Sequence, residues 1–248
     1  MKNIQVNILN PEAVKEAEKM MVFCARLTQR GHSIKNMADL YSLRTKSYKP
    51  ETVKAMVNLP HPTIQKFGVI NIAVVGASRR FLAQITRHQN EVKFMSASLQ
   101  YSDYSHEADF CVPYEFIETG LQDAYLKSCR QSMREYEASA QVGGNDAAGY
   151  LAPQGLRNIL IISATPFQIK HMISQRVCHR NTTETKYVML KIWEKLYELS
   201  PEMFDIRVAG ADCQRKGCRE GKMCCGKPIS RHFTPTEILE TEYPLLRC

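Results

Sequence analysis

Uncharged, β-branched sequence is scarce in this chain, and that scarcity limits the fold more than any other feature. Two runs have the make-up of buried strands: FGVINIAVV at 67–75, part of an extended stretch 63–75, and NILIIS at 158–163. A shorter strand is expected at 4–9. The remainder mostly follows helical signals. Asn10 and Pro11 read as cap and first turn of a helix to about Leu27, and Ser78 can cap another to about Gln89. Residues 115–141 are helical in pattern until Val142-Gly143-Gly144-Asn145 breaks them, and 146–151 can form a short helix ended by Pro153. Thr165 and Pro166 open a helix through about His179. Thr182 or Thr183 caps a long one ending before Pro201, with Val188, Met189, Ile192, Trp193, Leu196 and Leu199 as its core stripe. Few strands among long helices imply an α+β fold.

Residues 76–102, GASRRFLAQITRHQNEVKFMSASLQYS, concentrate polar chemistry directly behind the first buried run. On a helix from Ser78, spacings of three and four place Gln84, Arg87 and His88 on one face, with Phe81, Leu82 and Ile85 toward a core. Arginine offers a forked donor array for phosphate or carboxylate, histidine a switchable donor and acceptor, and glutamine an amide that can read an imide edge. Together they suit a nucleotide. The plainer reading is that Arg87 and His88 end a surface helix, favoured there by its dipole. A second group, His171, Arg176, His179 and Arg180, falls within three turns of the helix from Thr165; a lone histidine or arginine there would be packing or surface.

The chain's 248 residues, 44% hydrophobic, suffice for one sizeable core, and a single domain is expected. A net charge of +8 suits an anionic small ligand. It equally suits generic nucleic-acid affinity, but the densest basic run, Arg215 to Lys227, lacks interleaved aromatics, so a nucleic-acid module fits poorly. No apolar run has the length of a membrane span, and MKNIQVNILNPEAVK lacks the core of a signal peptide, so a soluble cytoplasmic protein is expected. Nine cysteines, at 24, 111, 129, 178, 213, 218, 224, 225 and 248, argue for a reducing compartment over a disulfide framework. Cys213, Cys218, Cys224 and Cys225 place four thiols close in sequence. Their spacing does not match paired Cys-x2-Cys knuckles, so no metal ligand is assigned, and a thiol-rich loop packed on the core is weighed against a structural zinc or iron–sulfur site.

GASRRFLAQITRH resembles the Gly-x-Ser-Arg…Gln-x-x-Arg-His segment of the flavin-dependent thymidylate synthases. In that family Arg-His-Arg is followed by Ser and then a run ending Arg-Tyr; here the counterparts are Arg87-His88-Gln89 and Ser98-Leu99-Gln100-Tyr101. ISQRVCHRNTTETKYVMLKIWEKLYELSPEMF at 173–204 is similar to the family's arginine-bearing helix and the long helix after it, and AGADCQRKGCREGKMCCGKP at 209–228 to a Cys-rich tail of one bacterial branch. With Leu151-Ala152-Pro153 the resemblance spans 62–228. It implies a thymidylate synthase-like α+β fold, a small mixed sheet with long helices, forming one catalytic domain over 1–248 with a Cys-rich tail at about 209–248.

The resemblance also implies a function: reductive methylation of dUMP to dTMP by a homotetramer holding FAD, with NADPH and methylenetetrahydrofolate as co-substrates. Arg176 would be the catalytic group, stabilising the N3 anion of the uracil. Gln84, Arg87, Ser98, Gln100 and Arg176 would bind nucleotide, and Arg87, His88, Gln89, Thr165 and His171 would lie at the flavin. Several family residues are replaced. The flavin-holding asparagine and arginine positions fall on Thr165, Phe167 and His171, a Glu/His pair on Gln65-Lys66, and two phosphate-gripping arginines on Gln100 and Gly149. Two buried charge-assisted contacts are worth about 3 to 6 kcal/mol together, and Arg79, Arg80, Lys93 or Arg157 could replace them. Two rivals to dUMP methylation therefore stand: an enzyme with another pyrimidine acceptor, and a non-catalytic nucleotide- or flavin-binding protein. A thiolate mechanism is set aside, because Cys178 and His179 are helix neighbours that point about 100° apart.

Overall fold

The computed structural model describes residues 1–106 and 108–246. Elements run β1 (Gln5–Ile8), α1 (Pro11–Arg30), α2 (Met37–Thr45), α3 (Pro50–Val57), β2 (Ile70–Ser78), α4 (Arg79–Ile85), β3 (Val92–Ser96), α5 (Tyr114–Glu118), α6 (Gln122–Ala148), β4 (Arg157–Ala164), α7 (Pro166–Arg176), α8 (Thr183–Leu199), α9 (Ile206–Ala209), α10 (Asp212–Arg215) and α11 (Pro235–Glu242), with short 3₁₀ turns between. The α+β expectation holds. The sheet is four-stranded in the order β1-β2-β4-β3 and antiparallel throughout, not mixed. The helix-bearing connections between β2 and β4 return the chain in the opposite sense, so no parallel pair forms.

One face of this sheet is the floor of the core. Ile70, Ile72 and Val74 of β2 and Leu160, Ile162 and Ala164 of β4 are buried, and α8 lies across them with Val188, Met189, Ile192, Trp193 and Leu196 inward. Trp193 donates its indole N–H to the Phe204 carbonyl at 2.9 Å, so its polar edge is satisfied inside the core. Leu199 of the predicted stripe is partly buried. A smaller cluster of Phe110, Cys129, Met133, Tyr136 and Leu156 lies under α6.

Local capping sets the elements that matter. Ser78 accepts from the Phe81 N–H, Thr165 from Gln168 and Thr182 from Thr185. Several boundaries depart from the sequence expectation. Residues 64–66 form a 3₁₀ turn, and the strand starts only at Ile70. Residues 115–141 divide into α5 and α6, and α6 runs on to Ala148, kinked at Gly144, whose φ of 72° no helical residue adopts. The helix from Ser78 stops at Ile85, where the Thr86 hydroxyl returns to the Leu82 carbonyl at 2.9 Å. The helix from Thr165 stops at Arg176, leaving His179 and Arg180 outside it. Strand β3 was not foreseen, because only its Val92, Phe94 and Ser96 turn inward and one edge is free. Cys248, the ninth cysteine, lies outside the described residues.

Lys170 of α7 is 5% exposed, and its ammonium reaches only neutral oxygens: Asn58 Oδ1 and Gln65 Oε1 at 3.3 Å and the Val57 carbonyl at 3.5 Å. Burial pulls it from the ordinary 10.5 down to about 8. Between those values the unfolded chain binds the proton that the folded chain has released, so raising the pH through this window favours folding, by about 3 kcal/mol in full. Urea unfolding at about pH 7.5 and pH 10 should show the wild type gaining on Lys170→Met by most of that amount. An unchanged difference between the two proteins would show that Lys170 titrates normally.

Candidate active site

The ends of α4 and α7 meet through Arg176. Its Nε donates to His88 Nε2 at 2.9 Å, Nη1 to Asn181 Oδ1 at 3.1 Å and Nη2 to the Gln84 carbonyl at 3.0 Å. Of the guanidinium's five N–H donors these three bonds leave two uncommitted. Asn181 is itself fixed by donating to the carbonyls of Gln175 and Cys178, so the cation is held by groups that are in turn held. Burial lowers the affinity of Arg176 for its proton, yet an arginine remains charged at neutral pH.

His88 is 8% exposed and stands with its ring 6.0 Å, edge to face, from that of His171. Burial first, then the Arg176 charge and His171, hold it down from 6.5 to about 4. It is therefore neutral at pH 7, and acceptance at Nε2 puts its proton on Nδ1.

The sequence candidates separate into two groups. Arg176, His88, His171 and the backbone of Gln84 come together. Gln84, Arg87 and His88 do not share one helical face, because the helix ends at Ile85 and the chain then turns His88 inward while Arg87 and Gln89 stay exposed. The Arg87 guanidinium makes no hydrogen bond to any described residue. Thr165 caps α7 at the end opposite Arg176 and donates to Glu91 Oε2 at 3.1 Å. Ser98 closes a turn by accepting the backbone N–H of Gln100 at 3.1 Å, and Gln100 is exposed. His179 is occupied by Lys186 at 2.9 Å and by Glu242 at 3.6 Å.

A Cβ at Gly149 would stand 3.5 Å from Leu99 Cβ, so this position lies against the residue that precedes Gln100. Nearby, Arg79, Thr86, Phe94, Ser96 and Gln154 line a cavity of about 410 Å³, and Arg79 Nη1 is buried with no hydrogen-bond partner. Arg79 is thus a lining residue with one buried donor unsatisfied, and an anion reached by a side-chain shift would satisfy it. A cavity of about 590 Å³ adjoins the Arg176 cluster through Asn181 and is lined by Ser78, Arg80, Cys111, Gln154 and Glu184. The Glu184 carboxylate accepts the Ser78 N–H at 2.6 Å, its hydroxyl, and the Cys111 thiol at 3.2 Å. Sequence reasoning missed Asn181 and Glu184; RNTTE reads locally only as a helix start. Among the described residues, no group of three or more His, Cys, Asp and Glu is arranged to hold a metal ion. No helix among them is long and apolar enough to cross a membrane.

The profile of the family described as thymidylate synthase complementing protein matches residues 11–202, most of the chain. The chain belongs to that family, the flavin-dependent thymidylate synthases. It is 26% identical over 175 residues to the flavin-dependent thymidylate synthase of Nitratidesulfovibrio vulgaris, covering 66% of this chain and 70% of that one. To the enzyme of the same name from Thermococcus onnurineus it is 25% identical over 171 residues, covering 66% and 69%. The fold matches Thymidylate Synthase X of Helicobacter pylori, solved with FAD and dUMP, with a TM-score of 0.56 at 16% identity, over 82% of this chain and 97% of that one. It also matches PolB, a UMP/dUMP methylase of Streptomyces cacaoi bound with 5-Br dUMP, with a TM-score of 0.59 at 13% identity, over 82% and 93%. This flavin-dependent methyltransferase family is thus recognised in a divergent chain, with departures at the positions noted above.

Proposed function

We propose that this protein methylates C5 of a uracil nucleotide, dUMP being the acceptor, with methylenetetrahydrofolate as one-carbon donor and NADPH as reductant. The Arg176 cluster carries the reading: an immobilised guanidinium with donors to spare beside the neutral His88, whose ring stands against that of His171. The residues present suit a flavin nucleotide and dUMP, both anionic, because Arg79 offers an orphaned donor and Arg87 an uncommitted guanidinium. Bound FAD would supply the hydride that completes the methyl group. The chain's own work is electrostatic. Arg176 stabilises negative charge at N3 of the uracil and so raises electron density at C5, which removes the need for a thiolate. Gln84 and Arg87 orient the nucleotide, Ser98 and Gln100 line its pocket, and His88, Gln89, Thr165 and His171 bound the flavin.

Oxidation of reduced FAD upon mixing with dUMP and methylenetetrahydrofolate tests this. Formation of dTMP supports it. A colourless protein that takes up no FAD would leave a nucleotide-binding protein. One observation favours a second acceptor: neither Gln100 nor Gly149 carries the guanidinium that the family resemblance implies there, which suits a pyrimidine gripped differently at its phosphate. UMP run beside dUMP distinguishes the two.

The open face of the sheet supports a homo-oligomer, the tetramer implied by the family. Ala73, Ile161 and Met95 form one row across β2, β4 and β3, and Val75 pairs with Ile159 in the next. Met95 is 74% exposed and Ile159 51%. A contiguous apolar face of this kind calls for a partner. Ile159→Lys should release smaller species in light scattering while leaving each chain folded by circular dichroism; an unchanged mass would place the interface elsewhere.

A further inference from the structure

The Cys-rich loop does not pack as an inert appendage. Cys213, Cys218, Cys224 and Cys225 line one cavity of about 420 Å³, and the fold brings in a fifth thiol, Cys178, from the turn after α7. None of these cysteines is in a disulfide. Backbone N–H groups point at the sulfurs: Gly226 at Cys224 Sγ, 3.5 Å, and Lys227 at Cys225 Sγ, 3.4 Å. Gly226 has φ of 69°, and that reversal aims the N–H back at the sulfur. Such N–H···S contacts stabilise thiolate and tune metal-bound sulfur. Five thiols facing one cavity form a donor set for a soft metal.

We propose that Cys178, Cys213, Cys218 and one thiol of the Cys224–Cys225 pair hold an iron–sulfur cluster of the 4Fe–4S class. The thiols are not gathered around a point that one ion could occupy. They ring a cavity, and a cluster contributes its own iron and sulfide to span it. Soft thiolate donors select this class of metal. Arg180, Arg219 and Lys227 outnumber Asp212 and Glu220 on the cavity wall, and this excess of positive charge offsets part of the charge of four thiolates around the cluster. On binding, each ligating thiol gives its proton to solvent and forms a sulfur–iron bond; equal amounts of ferrous and ferric iron with sulfide bring the cluster's oxidation level with them, so no electron leaves the protein. The cluster would tie the 209–228 loop to the turn carrying Cys178, whose carbonyl also holds Asn181 against Arg176.

The full chain, purified without oxygen and supplied with ferrous and ferric iron and sulfide, should contain about four irons and four acid-labile sulfides per chain. Iron X-ray absorption should show a sulfur shell and iron neighbours. Cys178→Ala and Cys213→Ala should each lose most of this iron, whereas Cys24→Ala and Cys129→Ala should retain it. Zinc without sulfide, a Cys218–Cys224 disulfide in metal-free protein, or full iron in Cys178→Ala would each overturn the assignment. X-ray absorption on the unmutated protein keeps the test valid if a variant misfolds.

Discussion

Replacing Arg176 with lysine is expected to slow turnover by about a hundredfold to a thousandfold while changing nucleotide affinity little. The N3 anion of uracil is unfavourable at neutral pH, and its stabilisation by a fixed cation is asked to supply about 3 to 4 kcal/mol. Arg176 is fixed by His88, Asn181 and the Gln84 carbonyl, and its planar fork still has donors free. Lysine keeps the charge but has three donors on a flexible stem, so it cannot hold all three partners and still face an imide edge. Single-turnover oxidation of reduced FAD with dUMP and methylenetetrahydrofolate measures the rate, and calorimetric titration the affinity. A melting curve run alongside separates lost chemistry from lost clamping of α4 against α7. A near-normal rate would remove Arg176 from the chemistry and leave it as a structural tie.

Arg79→Ala should weaken dUMP binding by about tenfold to a hundredfold, the size of one charge-assisted contact of 1.5 to 3 kcal/mol. Its Nη1 is buried without a partner, and the residue lines the cavity together with Ser96 and Gln154. An unpaired buried donor costs stability, so alanine here should leave folding stability unchanged or raised. That opposition of sign makes the test sharp. Arg87→Ala, at an exposed guanidinium, should cost roughly the lower end of the same range. If Arg79→Ala destabilises the chain and spares affinity, the arginine serves packing, and the guanidinium groups absent at Gln100 and Gly149 have no replacement there.

The α+β class was legible because it depends on local pattern. Strands β2 and β4 stand out as uncharged β-branched runs, and Ser78, Thr165 and Thr182 cap the helices expected of them, since a cap bonds an N–H only three residues on. The core stripe of α8 follows from the helical period. Helix ends were less legible. The Thr86 hydroxyl bond that closes α4 competes with continuing the helix, and pattern alone does not rank the two.

The candidate site was legible in its residue types and hidden in its geometry. Arg176 and His88 were singled out as polar groups on two helices, yet their bond spans 88 positions, and the Gln84 carbonyl contact spans 92. Nothing in either segment encodes the other. Cys178 is likewise remote from the loop thiols it joins, and the apolar character of β2 and β4, read from sequence as two-sided burial, proves to be a core face plus an open face. The sequence by itself determined the secondary-structure class, the caps at Ser78, Thr165 and Thr182 though not at Asn10, whose side chain bonds Val69 and Asn71 instead, the α8 stripe and the list of groups capable of nucleotide chemistry, because each depends on contacts within about four residues. Only the tertiary structure decided which of those groups meet, because packing α4, α7 and α8 on an antiparallel sheet sets long-range distances that no local propensity contains.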